Sequence, residues 1–91
     1  MPQRKSIRWS AHARKKAAKR EVDKGEVEQT IRQPDSIVPG KGLRSIFMRR
    51  YFDELLETEM LLRVVVEETG TERVVVTLYK TSRFRKYEGD A

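Results

Sequence analysis

The stretch LLRVVVEETGTERVVVTLYK, residues 61–80, decides how the rest of the chain is read. It holds two β-branched runs, 61–68 and 72–80, on either side of Thr69-Gly70-Thr71, and so predicts an antiparallel hairpin. With Gly70 at the centre, opposed residues sum to 140. Leu62, Val64 and Val66 then face Leu78, Val76 and Val74 on one dry side. The other side carries Arg63 opposite Thr77, Val65 opposite Val75 and Glu67 opposite Arg73, with Tyr79 alongside. A slip of one residue would mix the two sides. Beyond Tyr79 the chain turns basic and aromatic, through Lys80, Arg83, Phe84, Arg85, Lys86 and Tyr87.

Upstream, Ser6 to Trp9 alternates, with Ile7 and Trp9 on one side, and predicts an edge strand. Trp9 reads as core, a stacking platform being the alternative. Ser10 suits an N-cap for the Ala-, Lys- and Arg-rich run that follows. Ala11, Ala18 and Val22 are expected to form that helix's narrow inner face, with Lys15 beside them. Asp23 with Glu26 fits a capping box for a second helix, whose Val27 and Ile31 form an i, i+4 apolar pair and which Pro34 closes. Residues 37–39 are a short strand or simply extended, and Gly40-Lys41-Gly42 is a turn. Leu43 to Phe52 suits a strand of unassigned faces. DELLETEM, 53–60, is either a hairpin tip with exposed leucines or one turn of helix. Its acids suggest a solvated loop, since no calcium-loop spacing or histidine accompanies them. The resulting expectation is an α+β fold: two N-terminal helices packed on one face of an antiparallel sheet, in β-α-α-β-β-β order, as a single domain over 1–91 with a basic tail from about 81 to 91.

Composition narrows the function. The 91 residues carry 20 Lys and Arg against 14 Asp and Glu, a formal net charge of +6. That charge is segregated: +8 over residues 1–20, −5 over 21–72 and +3 over 73–91. A fold that joins the two ends makes a positive face suited to a polyanion. Basic tails or ordinary surface charge are the plain alternatives. With no cysteine and one histidine, disulfide scaffolds, zinc sets and nucleophilic triads cannot be assembled. Gly40-Lys41-Gly42 is too short for a phosphate loop. No metal site and no cofactor is expected. The opening residues lack the apolar run of a signal peptide, and no segment approaches membrane-spanning length, so the cytoplasm is the expected location.

RNA cleavage by 2′-hydroxyl attack needs an acid, a base and a cation at the phosphate. His12 is the acid/base candidate, at a helix N-terminus that favours anions and disfavours its protonated form. Its plain alternative is packing or local capping. Arg63 and Tyr79, on one sheet face, suit a phosphate clamp and a stacking or proton-transfer partner, with a cross-strand ion pair the alternative for Arg63. Lys16, Lys19 and Arg20 on the first helix, and Lys80, Arg83, Arg85, Lys86 and Tyr87 in the tail, are the candidate nucleic-acid contacts. Arg73 is expected to pair with Glu67.

One resemblance bears on all of this. His12, Ala13 and Lys16, then Arg20, Val22, Glu26 and Val27 in an RxVxxxEV pattern, then Ile31 and Pro34, resemble the opening of a widespread family of small bacterial proteins of unknown function. That family is related to BrnT-type toxins and more distantly to the RelE/ParE superfamily. LLRVVVEE (61–68) and VVVTLYKT (74–81) resemble its closing strands. The likeness covers roughly residues 7 to 83. It departs at Lys16, where arginine is more usual, and at DELLETEM, which lengthens the middle. What the resemblance implies is a RelE-like fold, helices on a curled antiparallel sheet. The implied activity is that of an endoribonuclease toxin acting on messenger RNA, often on the ribosome, restrained by an acidic antitoxin. The alternative is a non-catalytic module that binds nucleic acid or a protein through the same surface.

Overall fold

The computed structural model describes residues 5–88. Five strands form one sheet in the spatial order β1-β5-β4-β3-β2. They are β1 (Ser6–Trp9), β2 (Ser36–Pro39), β3 (Arg44–Asp53), β4 (Thr58–Glu68) and β5 (Glu72–Thr81). Helices α1 (Ala11–Lys19) and α2 (Lys24–Arg32) link β1 to β2, and a short α3 (Phe84–Glu88) follows β5. From β2 to β5 the chain is an antiparallel meander. β1 is the edge strand that the alternation predicts, but it runs parallel to β5, so the sheet is mixed. Parallel pairing needs a crossover, and α1 and α2 supply it by carrying the chain across one face from edge to edge.

That inner face holds the core. Trp9, Ala13, Ala17, Val22, Val27 and Ile31 pack on Phe47, Tyr51, Met60, Leu62, Val64, Val66, Val75 and Leu78. Ser10 caps α1 as its sequence predicts: its Oγ accepts from the Ala13 N–H at 3.0 Å and donates to the Val76 carbonyl at 3.1 Å. This double anchor sets the rotation of the helix. Ala13 and Ala17 are therefore the buried pair, while Ala11 and Ala18, expected inside, are exposed. Asp23 caps α2 by accepting from Gly25 N–H at 3.1 Å. The reciprocal half of the expected capping box is absent, because Glu26 turns to Arg49 of β3 in an ion pair. Val27 and Ile31 are buried, as their spacing requires.

The hairpin forms, in a different register. Thr69 and Glu72 close the turn: the Thr69 N–H donates to the Glu72 carbonyl at 2.9 Å, and the Glu72 N–H to Thr69 Oγ1 at 2.9 Å. The loop is thus Gly70-Thr71, not centred on Gly70. It makes Val66 face Val75 and Glu67 face Val74. Continued, that pairing would bury Thr77. One extra residue, Val76, bulges out instead, and the register becomes Val64 to Leu78, Arg63 to Tyr79 and Leu62 to Lys80. Val75 and Leu78 are buried, and Val74 and Val76 are not. Arg73 pairs with Glu68 at 3.6 Å, and Glu67 with Arg44 at 3.5 Å, which replaces the expected Glu67–Arg73 pair.

DELLETEM is a hairpin tip. Asp53 Oδ1 accepts from the Leu55 and Leu56 N–H groups, both at 3.0 Å, while Leu55 and Leu56 stay exposed. The outer face of the sheet is not left open along its length. Met48 and Leu61 are buried there, outside the main core, on the side toward which α3 folds back. Thr81 belongs to β5, so the expected tail from 81 is a strand end, a turn and a helix; its last residues, 89–91, lie outside the described ones.

Candidate nucleic-acid interface

On the outer face, Arg63 of β4 stands opposite Tyr79 of β5. An Arg63 terminal nitrogen donates to the Tyr79 hydroxyl. Tyr87 of α3 closes over them. The Arg63 guanidinium carbon lies 4.2 Å from the Tyr87 ring centroid and 5.2 Å from that of Tyr79. The two rings meet edge to face at 5.8 Å and 69°. Arg63 therefore sits between two phenols, an arrangement that orients a guanidinium without neutralising it. Its Nε is buried and bonded to nothing.

α3 reaches this position because Thr81 turns the chain: its Oγ1 accepts from the Arg83 N–H at 3.0 Å. Phe84 then lies under Arg50, 4.2 Å from the guanidinium carbon to the ring centroid. Burial holds the Tyr79 phenol above its ordinary value, opposed by the Arg63 charge and reinforced by Tyr87. Tyr87 goes the other way. Its contact with the sheet pushes it up, but the Lys86 ammonium, the Tyr79 phenol and the Arg63 charge together bring it below an ordinary phenol. Two adjacent hydroxyls thus differ in acidity.

His12 is exposed in the first turn of α1, and its Nε2 lies 3.2 Å from Thr77 Oγ1. Thr77 and Tyr79 alternate along β5 and share the outer face, about 6.6 Å apart by strand rise. The three residues singled out for chemistry are therefore brought to one face. Arg63 and Tyr79 touch. His12 joins them through Thr77 and does not reach Tyr79. The bulge at Val76 adjoins Thr77, which ties the local strand geometry to the position of the imidazole contact.

Lys16 and Lys19 follow His12 at i+4 and i+7, so all three lie on one flank of α1, with Arg20 just past its end. Arg83, Arg85 and Lys86 are exposed on α3 and the turn before it. None of these six cations makes an ion pair among the described residues, whereas Arg8, Arg44 and Arg50 on the sheet are paired with Glu72, Glu67 and Glu59. Arg4, part of the N-terminal charge cluster, lies outside the described residues.

Lys80 is a correction. It points inward, and its Nζ donates to Asp53 Oδ2 at 2.6 Å, with both side chains largely buried. The same carboxylate accepts from the Tyr51 hydroxyl at 3.1 Å. The hydrogen bond from Lys80 is the main reason Asp53 stays below its usual carboxylate range, against the opposing effect of burial. Lys80 is a structural ion-pair partner, unavailable to a strand of nucleic acid. The alternation that buries Leu78 buries Lys80 as well, a signal present in the sequence and outweighed there by charge counting. Phe84 belongs to the basic-aromatic tail singled out from the sequence, but Arg50 does not, since their contact depends on the fold-back at Thr81. Among the described residues, no cluster of His, Asp and Glu could hold a metal ion.

The fold is α+β, a mixed five-stranded sheet with α1 and α2 packed on one side, and α3 and an aromatic-basic face on the other. The chain belongs to the family described as Domain of unknown function (DUF4258), whose model matches residues 9–80. The match spans both helices and ends before α3. No curated protein and no solved structure matches the chain. Among the described residues, no helix is long and apolar enough to cross a membrane.

Proposed function

We propose that this chain is a toxin-like RNA-binding protein that cleaves messenger RNA at the outer face of its sheet. The observation that carries this reading is Arg63: a partly buried guanidinium held between two phenols, with no carboxylate bonded to it among the described residues and His12 on the same side. Such a group suits a phosphodiester whose charge increases during reaction. In the proposed step, His12 takes the proton of the 2′-hydroxyl, and the 2′-oxygen attacks phosphorus. The bond to the 5′-oxygen breaks, leaving a 2′,3′-cyclic phosphate and a 5′-hydroxyl. Arg63 holds the phosphate oxygens. Tyr87 protonates the departing oxygen, and Tyr79 positions Arg63. Lys16, Lys19, Arg20, Arg83, Arg85 and Lys86 guide the strand on both sides, and an acidic antitoxin would cover the same surface.

The test uses a 5′-labelled messenger RNA with the purified chain, with and without ribosomes, beside induced expression in a bacterial host. Cleavage with a cyclic phosphate terminus, lost in His12→Ala, is the expected result. Binding without cleavage that persists in His12→Ala would select the non-catalytic reading. That reading has its own support in His12, whose hydrogen-bond partner among the described residues is Thr77 and not Tyr79. Neither binding nor growth arrest would overturn both.

A further inference from the structure

We propose that a second site, on the opposite face and at the other end of β5, takes a phosphate group. It is a cavity of about 610 Å³ between β1, the start of β5 and the last turns of α2, lined chiefly by Lys5, Gln29, Arg32, Gln33 and Arg73. That volume falls within the range of small-molecule sites. Arg73 lies six residues before Tyr79 along β5, about 20 Å by strand rise, so the cavity shares nothing with the Arg63 face.

The charge around it is incompletely matched. Lys5, Arg32 and Arg73 are three cations, and Glu68 is the one carboxylate among the described residues that any of them meets. Lys5 Nζ lies 2.9 Å from Glu68 Oε2, and Arg73 Nε lies 3.6 Å from Glu68 Oε1. Arg32 has no carboxylate partner among the described residues. The Arg73 guanidinium is held 5.4 Å from the Phe47 ring centroid, which fixes its plane without using its donors. Its Nε is buried and turned toward Glu68, beyond hydrogen-bond distance. Gln29 donates to Gln33 at 2.5 Å, so the two amides are fixed side by side on the same wall. Arg32 also offsets the negative end of α2 that closes the cavity. Two guanidinium forks, an ammonium and paired amides call for a ligand with three or more acceptor oxygens and more than one negative charge. A phosphate group satisfies both forks, whereas a single carboxylate satisfies one.

The source of that phosphate is either a small phosphorylated molecule or the backbone of a nucleic-acid strand, and one titration separates them. The full chain is titrated with pyrophosphate while the arginine Nε–H and glutamine amide signals are followed by NMR. The Arg73, Arg32, Gln29 and Gln33 signals are expected to move together and saturate at pyrophosphate concentrations below those that shift Arg63. Arg32→Ala, a change at an exposed position, is expected to weaken pyrophosphate binding at least tenfold, and so is Arg73→Lys. The double variant His12→Ala/Arg63→Ala is expected to keep it, so failure of the RNA-cleavage reading leaves this result standing. Displacement of pyrophosphate by adenosine monophosphate but not by a short single-stranded RNA assigns a small molecule; displacement by the RNA assigns the strand. Unchanged affinity in Arg32→Ala, non-saturating shifts spread over α1 and α3, or displacement by neither competitor would overturn the proposal.

Discussion

Lys80 and Arg63 stand one rung apart on the same hairpin, and they have opposite fates. The rung Leu62–Lys80 points to the helices, and the rung Arg63–Tyr79 points away from them. On the inner side the cation is matched by a buried carboxylate, which also gathers the Tyr51 hydroxyl and two backbone N–H groups. On the outer side, among the described residues, the cation meets only rings and a hydroxyl. A positive side chain that has consumed its counter-charge stabilises the fold, and one oriented without a counter-charge is the group the proposed function assigns to a ligand. What separates the two is the parity of the strand, more than the residue type.

The comparison can be broken in several ways. Lys80→Met leaves Asp53 buried beside no cation and is expected to cost about 3 kcal/mol in denaturant unfolding. A loss below about 1 kcal/mol would mean the inner pair is not structural. Arg63→Met removes a group with no carboxylate to strand. Its stability should change by less than about 1 kcal/mol, while RNA affinity falls about tenfold and the salt slope of binding drops by about one. Equal losses of stability in the two variants would erase the distinction. Tyr87→Phe keeps the ring over Arg63 and removes one hydroxyl. It should lower affinity only about threefold, the worth of a hydrogen bond of roughly 0.5–1 kcal/mol, but reduce cleavage more. Acid provides a milder probe. Asp53 titrates below its ordinary value of 3.8 in the folded chain, so its contribution is intact above that pH and is lost as pH falls through the lowered value. Unfolding measured from pH 5 to pH 2 should show that slope, and Asp53→Asn should remove it. The smallest effect is expected at the hairpin tip, where Leu55→Ser and Leu56→Ser alter exposed side chains and should shift stability by less than about 0.5 kcal/mol each.

The elements that rest on local chemistry were readable before any coordinates. Ser10 and Asp23 cap helices because short polar side chains reach orphan N–H groups, and Val27 with Ile31 marks one side of α2 by spacing alone. Arg63 and Tyr79 share a face in any register with the right parity. What escaped depends on two distant segments agreeing. The Val76 bulge exists because a two-residue turn at one end and a buried Leu78 further along demand pairings of opposite parity. The rotation of α1 follows from Ser10 meeting the Val76 carbonyl, a contact between residues 66 apart. Tyr87 reaches Arg63 only because Thr81 reverses the chain. In each case composition identifies the residue, and the fold decides what it faces.

The parallel pairing of β1 with β5 has a kinetic consequence. The meander from β2 to β5 grows by short hairpin closures, each cheap in chain entropy. β1 can dock only on the edge of β5 opposite β4, so its pairing closes a loop of more than sixty residues and depends on the last strand already being in place. Until then Trp9, Ala13 and Ala17 have no wall to pack on, and the start of α1 has no bulge carbonyl to hold Ser10. On this order of assembly His12 joins the outer face only after β5 is in place. Destabilising β1, as in Ile7→Thr, should release the histidine while the hairpin and its Arg63 remain formed.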